Sequence, residues 1–415
     1  MSYAKTVFFI PVWFDDFEKI SKKTDGNSIW ACTEKEKISP SYLYHYASNI
    51  AKDSNLFKSY SLKDTSSLNV YMYEEEIKFK DSPSIEEVRF SCFSTGIGFV
   101  EFWVSYSNAT LEEISNFAYL FKKATKVSEK ARENGKQSLY DVANSLLPYD
   151  MNYQLFFSSS AQFKYECNCF HFIHINDSIP QKTTLNNALH HLCRSFKTSM
   201  PTITDSKYEM TYEAGTGDHW CGSTEGIVNV VFDFLDKDGD NSDYYLHTIK
   251  PIHLSVDYYF LYLLLLNQKY SAIQYIYMVS KVINKPSKEI ENLNRRIIQL
   301  KNVFTFNIVS DDIHFQNIYS KMFSILEIKS LLADVIENEN QIEFLQRSKH
   351  AKDDRISNKY LFGISILSLF SALIDAASYF DRINEIKSMS TFLSLISVCL
   401  ILVLCIVWGM HSVKK

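Results

Sequence analysis

No Gly or Pro interrupts the chain between Ser287 and Phe362, so nothing there forbids a long run of helix. Basic charge is not in excess: the net charge is −5, which removes the electrostatic basis for bulk nucleic-acid binding. The eight cysteines show no pairing by spacing. Two of them, Cys399 and Cys405, fall inside an apolar run, and free thiols are expected rather than a disulfide framework. Glycine-rich phosphate loops of the Walker or dinucleotide kind are missing. No nucleophile–base constellation stands out, so catalysis is not expected. Met1 to Phe14 enters a strand-like run directly, without the basic and apolar regions of a signal peptide.

What the chain does have is concentrated at its end. Between Lys359 and Asp381 lie 21 residues, Tyr360 to Phe380, whose only charge is Asp375. A ten-residue polar loop, Asp381 to Ser390, leads to 20 uncharged residues, Thr391 to Met410. At about 1.5 Å per residue each stretch can cross a hydrocarbon core of about 30 Å. The short link makes them a helical hairpin with both flanks on one side. Arg347, Lys349, Lys352, Arg355 and Lys359 precede the first stretch, and Lys414 and Lys415 follow the second. The loop carries Arg382 and Lys387 against Asp381 and Glu385. This excess of Lys and Arg places the large N-terminal part and the tail on the cytoplasmic side.

Residues 1–250 alternate between strand and helix patterns and predict an α/β domain. Thr6–Trp13 and Leu68–Tyr73 read as β-rich, and Val88–Phe93 and Gly98–Ser105 as a hairpin joined through Ser94–Ile97. Thr110 and Glu113 form a capping box, opening a helix to about Ala131. Gln154–Phe157, Gln162–Ile175 and Ile227–Leu235 read as strands, with a helix over Thr183–Phe196. Residues 251–309 predict a helical subdomain. Within it Tyr258–Leu266 is apolar, but His253, Asp257, Asn267, Gln268 and Lys269 limit the run to nine residues, too short to span a membrane and expected to be a buried helix.

Residues 310–359 predict a stalk. Ser310-Asp-Asp312 supplies an N-cap and first-turn acids. Behind it Phe315, Tyr319, Met322, Leu326, Leu332, Val335, Ile336, Ile342 and Leu345 recur mostly three or four apart, a seam for other helices. Unbroken from Asp311 to Phe380, such a helix is about 105 Å long. On a helical wheel of the first span, Asn358, Ser365, Ser368, Ser371, Ala372, Asp375 and Ser378 share an arc of about 160°. Small and polar residues on one arc fit either close helix packing or a water-filled path. The carboxylate of Asp375 favours water, because a charge in lipid is costly. Two spans cannot enclose a pore alone, so a ring of identical chains is implied.

Three further motifs carry weaker signals. Cys167, Cys169, His171 and His174 have the donor types for zinc, but on a strand residue 174 points away from the other three. Asp236, Asp238, Asp240 and Asp243 resemble a calcium loop, yet Asn241 and His247 stand where Gly and Glu are needed. The segment Gly215-Thr-Gly-Asp-His-Trp-Cys-Gly222 combines glycines that permit close backbone approach with Trp220, able to stack on an adenine. Asp218 and Trp220 are its ligand-binding candidates, and a tight turn between strands is the alternative.

The order of elements resembles the CorA family, most clearly from Ile290 to Lys415, including Phe304–Tyr319 leading into the stalk. The resemblance implies a homopentameric divalent-cation channel in the bacterial inner membrane, with the first span lining the pore. Asn358, Ser365, Ser368, Ala372 and Asp375 are then the pore positions, and magnesium or another divalent cation is the implied ion. The family's Gly-Met-Asn signature is replaced here by Ala377-Ser-Tyr-Phe-Asp381, and Gly409-Met-His411 lies at the wrong end of the second span. Absence of that signature is similar to a divergent branch beside type III CRISPR systems. For that branch the resemblance implies a membrane effector opened by a messenger of S-adenosylmethionine joined to AMP (SAM-AMP).

Overall fold

The computed structural model describes residues 3–73, 77–123, 127–147, 153–156, 167–176, 181–201, 209–215, 217–233, 244–282 and 287–341, with helical positions 358, 360–365, 368 and 371. Two compact units result, Met1–Asn340 and Gln341–Lys415. The expected α/β domain is present in the first. The described strands are β1 (Tyr3–Phe14), β2 (Trp30–Cys32), β3 (Phe57–Leu62), β4 (Ser84–Phe93), β5 (Ile97–Ser105), β6 (Tyr153–Leu155), β7 (Asn168–Ile175), β8 (Glu209–Gly215), β9 (Asp218–Ser223) and β10 (Gly226–Phe232). They form one sheet in the order β2-β3-β4-β5-β1-β7-β10-β9-β8, with β6 also paired to β1. The pairings are antiparallel except for β7 with β10, which run parallel.

Helices cover both faces, and this explains why β1 reads as an almost continuous apolar run rather than an alternating one. The described helices of the first face include α1 (Phe17–Asp25), α3 (Leu111–Lys123), α4 (Glu129–Glu133), α5 (Leu139–Leu146) and α6 (Lys182–Arg194), whereas α2 (His45–Lys52) lies beside β3, with the Tyr44 amide before it donating to the Val309 carbonyl at 2.8 Å. Phe8 of β1 meets Phe117 and Phe121 of α3 at 6.3 and 4.8 Å. Phe9, its neighbour, points the other way and meets Tyr259 and Tyr262 at 6.0 and 5.6 Å. Those tyrosines belong to α7, which opens with π-helical turns at Tyr245–Ile249 and Leu254–Tyr258 and continues as Tyr259–Val282.

Helix α7 contains the apolar run Tyr258–Leu266, and it is a core helix. Among the described residues it is the one helix long and apolar enough to cross a membrane, yet it is mostly buried within the sheet domain. Each fully buried Leu or Phe there stabilises by about 1.5–3 kcal/mol. The polar residues that interrupt the run lock the helix down. Asn267 Oδ1 accepts from Thr95 Oγ1 at 2.7 Å. Asp257 Oδ1 accepts from the Ser41 amide at 2.6 Å and the Tyr42 amide at 3.1 Å. Tyr275 donates to the Thr95 carbonyl at 2.7 Å. The turn these bonds hold contains Gly96 at φ +92, where a Cβ would stand 2.8 Å from the Phe14 carbonyl oxygen. No L side chain fits that position without strain.

Several local expectations meet their structure directly. The β4–β5 hairpin is present, and so is the capping box. The Thr110 amide donates to Glu113 Oε2 at 2.7 Å and the Glu113 amide to Thr110 Oγ1 at 3.2 Å. Others need correction. Leu68–Tyr73 forms no strand: it makes a single bridge, Val70 with Gln137, and its side chains enter the core from a loop. The helix begun at Thr110 does not reach Ala131, because Ser128 caps a separate helix, α4, by accepting from the Ala131 amide. Helix α7 starts at Tyr245, and residues 251–309 lie in the same compact unit as the sheet.

The stalk is the largest correction. Helix α8 (Ser287–Val303) is followed by α9 (Ile313–Ile325), whose N-cap is Asp312, accepting from the amides of His314 and Phe315, rather than Ser310, so neither Asp311 nor Asp312 is a first-turn acid. But α9 ends at once: Glu327 has φ +54, and a new helix, α10, starts at residue 328 and runs to the end of the unit. The seam is occupied within the chain as well. Phe315 stacks on Tyr258 at 4.0 Å, and Ile328, Leu332 and Val335 are buried, with Glu339 of α10 paired to Lys301 of α8 at 2.9 Å. No single helix therefore runs from Asp311 to Phe380.

The left-handed residue makes a test. A left-handed conformation costs a non-glycine residue about 1–2 kcal/mol, so Glu327→Gly is expected to raise stability by about 0.5–1 kcal/mol after allowing for the freer unfolded chain. In an uninterrupted helix the same change would lower it by about 0.5–1 kcal/mol. Urea unfolding followed by tryptophan fluorescence gives the sign.

In the unit Gln341–Lys415, positions 358, 360–365, 368 and 371 are helical. Tyr360 is 72% exposed, and Leu361 and Ile364 are similarly open. Ser365 Oγ donates to the Leu361 carbonyl at 2.8 Å and Ser368 Oγ to the Ser365 carbonyl at 2.9 Å, the way hydroxyls satisfy themselves on an apolar helix. Ala372, Asp375 and the second apolar stretch lie outside the described residues.

Candidate functional site

The polar groups of the sheet domain converge where α7 begins. Because β7 and β10 are parallel, their carboxyl ends lie together, the usual place for a site in an α/β sheet. Register sets the row: Tyr3 opposes His174, His174 opposes Val231, and Val231 opposes Asp218. Two residues inward, on the same face, Asn229 opposes both Phe172 and Trp220. The opening turns of α7 supply Tyr245, His247, Lys250 and Tyr258 to the same corner. π-Helical turns are rare and concentrate at functional sites, and two of them shape this segment.

One half of the corner is a buried ion pair. Lys250 is 3% exposed, and its Nζ lies 2.5 Å from Asp218 Oδ2. Asn229 Nδ2 donates to Asp218 Oδ1 at 2.6 Å. The ammonium also stands 5.5 and 5.6 Å from the rings of Trp220 and Tyr258, near enough for a cation–π attraction. Burial, with the Asp218 charge beside it, pushes the hydroxyls of Tyr3 and Tyr258 well above the usual tyrosine range. Both stay protonated at neutral pH.

The other half is a triad of imidazoles and carboxylate. His174 is fully buried and its Nε2 is 2.6 Å from Asp233 Oδ1. His247 Nε2 is 4.0 Å from the same oxygen, and the two imidazole rings are 4.6 Å apart. Burial lowers the basicity of His174, with the Asp233 carboxylate acting in the opposite direction. Two imidazoles and a carboxylate around one point can hold a metal ion or pass a proton.

The residues singled out from sequence fall differently. Asp218 and Trp220 are adjacent in space, but neither is a free ligand-binding group. Trp220 is 1% exposed, its ring stacked on Phe170 at 6.2 Å and tilted against Tyr258 at 4.7 Å, so no adenine can lie on it while the core is intact. Asp218 is committed to Lys250 and Asn229. The segment from Gly215 to Gly222 runs from the end of β8 through the β8–β9 turn, with Gly217 at φ +78, into β9, where Gly215 pairs with Asp218 and Trp220 with Tyr212. Cys169 and His171 lie on the sheet face opposite His174, and His171 Nδ1 pairs with Thr6 Oγ1 at 2.8 Å, so no Cys/His zinc site forms there. The six described cysteines are free thiols. Asp236, Asp238, Asp240 and Asp243 lie outside the described residues.

Sequence reasoning missed Asp233 and His247 as partners of His174. The one available signal was strand parity, which already sets His174 apart from His171. Its partners come from the parallel pairing of β7 with β10 and from the start of α7, and neither leaves a spacing pattern. No protein-family model, curated protein or solved structure matches this chain.

Proposed function

We propose that this chain is a membrane-anchored effector, in which the sheet domain receives a signal and a ring of identical C-terminal hairpins forms a cation path. The observation that carries the reading is the pair of uncharged stretches, Tyr360–Phe380 broken only by Asp375 and Thr391–Met410, separated by ten residues. The burial of α7 in the sheet domain supports it, since it leaves these stretches as the segments available to the membrane. Asn358, Ser365, Ser368, Ala372 and Asp375 line the path, with the carboxylates of Asp375 lowering the barrier for cations and raising it for anions. The N-terminal domain and tail face the cytoplasm.

Gating by an adenylated messenger of the SAM-AMP kind fits the missing Gly-Met-Asn signature better than constitutive magnesium uptake. Magnesium sheds its waters reluctantly, so selecting it requires a site for the hydrated ion. A messenger opens the pore only through a difference in its affinity for the open and closed arrangements. The break at Glu327 means that such a difference reaches the membrane through more than one helical segment.

The test is cation release from liposomes containing the purified chain, with and without the messenger. Messenger-dependent release is expected, and Asp375→Asn is expected to lower it several-fold while the oligomer persists. Loss of the oligomer in Asp375→Asn would make this residue packing glue. Rescue of a magnesium-transport-deficient strain without messenger would replace gating by constitutive transport.

A further inference from the structure

We infer that His174, Asp233 and His247 form a binding site for a divalent transition metal of the zinc class. The three residues come from three elements, yet their ligand atoms all lie within 4.8 Å of one another. His174 is near the end of β7 and Asp233 directly follows β10, and the Asp233 amide donates to the Ile175 carbonyl at 3.2 Å. Two of the three ligands are thus fixed by backbone pairing in the middle of a large sheet. The third, His247, is on the first turn of α7.

The donor set selects the ion. Imidazole nitrogens suit zinc and its neighbours, whereas magnesium and calcium take oxygen donors. With zinc–ligand bonds of about 2.0–2.2 Å, ligand atoms in a tetrahedron stand about 3.3 Å apart. The separation of 2.6 Å between His174 Nε2 and Asp233 Oδ1 must therefore open, and the 4.0 Å between His247 Nε2 and Asp233 Oδ1 must close. Both changes are about 0.7 Å, within reach of small side-chain rotations. The His174 side chain is 0% exposed, whereas those of Asp233 and His247 are 38% and 34% exposed. The fourth coordination position accordingly faces solvent, which is the open, three-protein-ligand pattern rather than the closed structural one. A metal held there ties the carboxyl ends of β7 and β10 to the opening turn of α7, the helix that crosses the face of the sheet.

Cobalt(II) added to the metal-stripped full-length chain in detergent reports the geometry directly. The expected result is one equivalent bound, with the intense visible absorption of a tetrahedral-type site, displaced by one equivalent of zinc and untouched by excess magnesium. His247→Ala removes the exposed ligand and Asp233→Asn keeps the shape of the central one. Each is expected to weaken binding by about 100-fold or more while the far-ultraviolet circular dichroism stays unchanged. Weak octahedral absorption alone, or tight binding that survives both substitutions, would overturn the assignment. Neither outcome depends on whether the hairpin conducts ions.

Discussion

Arg89→Ala is expected to destabilise the sheet domain by about 3–5 kcal/mol, because it leaves a buried acid without its cation. Arg89 is buried on β4 between three partners. Its Nη2 is 2.7 Å from Glu87 Oε2, its guanidinium stands 4.2 Å over the Trp103 ring, and its register partner on β5 is Glu101. The Glu101 side chain is fully buried under α7, where Oε2 accepts from the Tyr259 hydroxyl at 2.6 Å. Burial raises the Glu101 pKa above the ordinary carboxylate value, and the Arg89 charge is the main influence in the other direction. Removing Arg89 raises it further.

The sign of the pH dependence follows. A carboxyl with a raised folded-state pKa binds more protons folded than unfolded, so stability falls as pH rises from the unfolded value toward the folded one. Arg89→Ala is therefore expected to lose more stability at pH 7 than at pH 5, measured by urea unfolding with tryptophan fluorescence. Adding Glu101→Gln is expected to flatten that dependence and recover part of the loss. A single substitution costing under about 1 kcal/mol at both pH values would mean that Glu101 is already neutral and that Arg89 acts mainly by packing.

What the sequence disclosed was local. Strand β1, the hairpin through Ser94–Ile97 and the cap at Thr110 depend on neighbours a few residues away, and their patterns survive in the fold. Tyr71, Met72 and Tyr73 misled because burial and strand pairing are separate properties: the side chains are buried, but the backbone finds no ladder. The segment Asp311–Glu339 misled for a different reason. Absence of Gly and Pro permits a helix without requiring one, and packing of α9 and α10 onto their own domain outweighs the strain at Glu327. Polar residues in α7 were legible as a bar to membrane insertion, while their partners Thr95, Ser41 and Tyr42 were not. His174, Asp233 and His247 were illegible as a set because parallel pairing brings distant strands together with no local mark.

In the proposed function the C-terminal hairpin anchors the chain. Ten Leu, Ile, Phe or Val residues lie in Tyr360–Phe380 and twelve in Thr391–Met410. At about −0.3 to −0.6 kcal/mol each the ten contribute about −3 to −6 kcal/mol, against roughly +2.5 to +3.5 kcal/mol for an Asp at the very centre of a span, and Asp375 lies off the centre, toward the end of its stretch. The second stretch carries no charge at all. Alkaline carbonate extraction of membranes from cells making the full chain measures this directly. The full chain is expected to stay in the pellet, and a chain ending at residue 357 to move almost entirely to the supernatant. Release of the full chain into the supernatant would contradict the anchor and, with it, the pore.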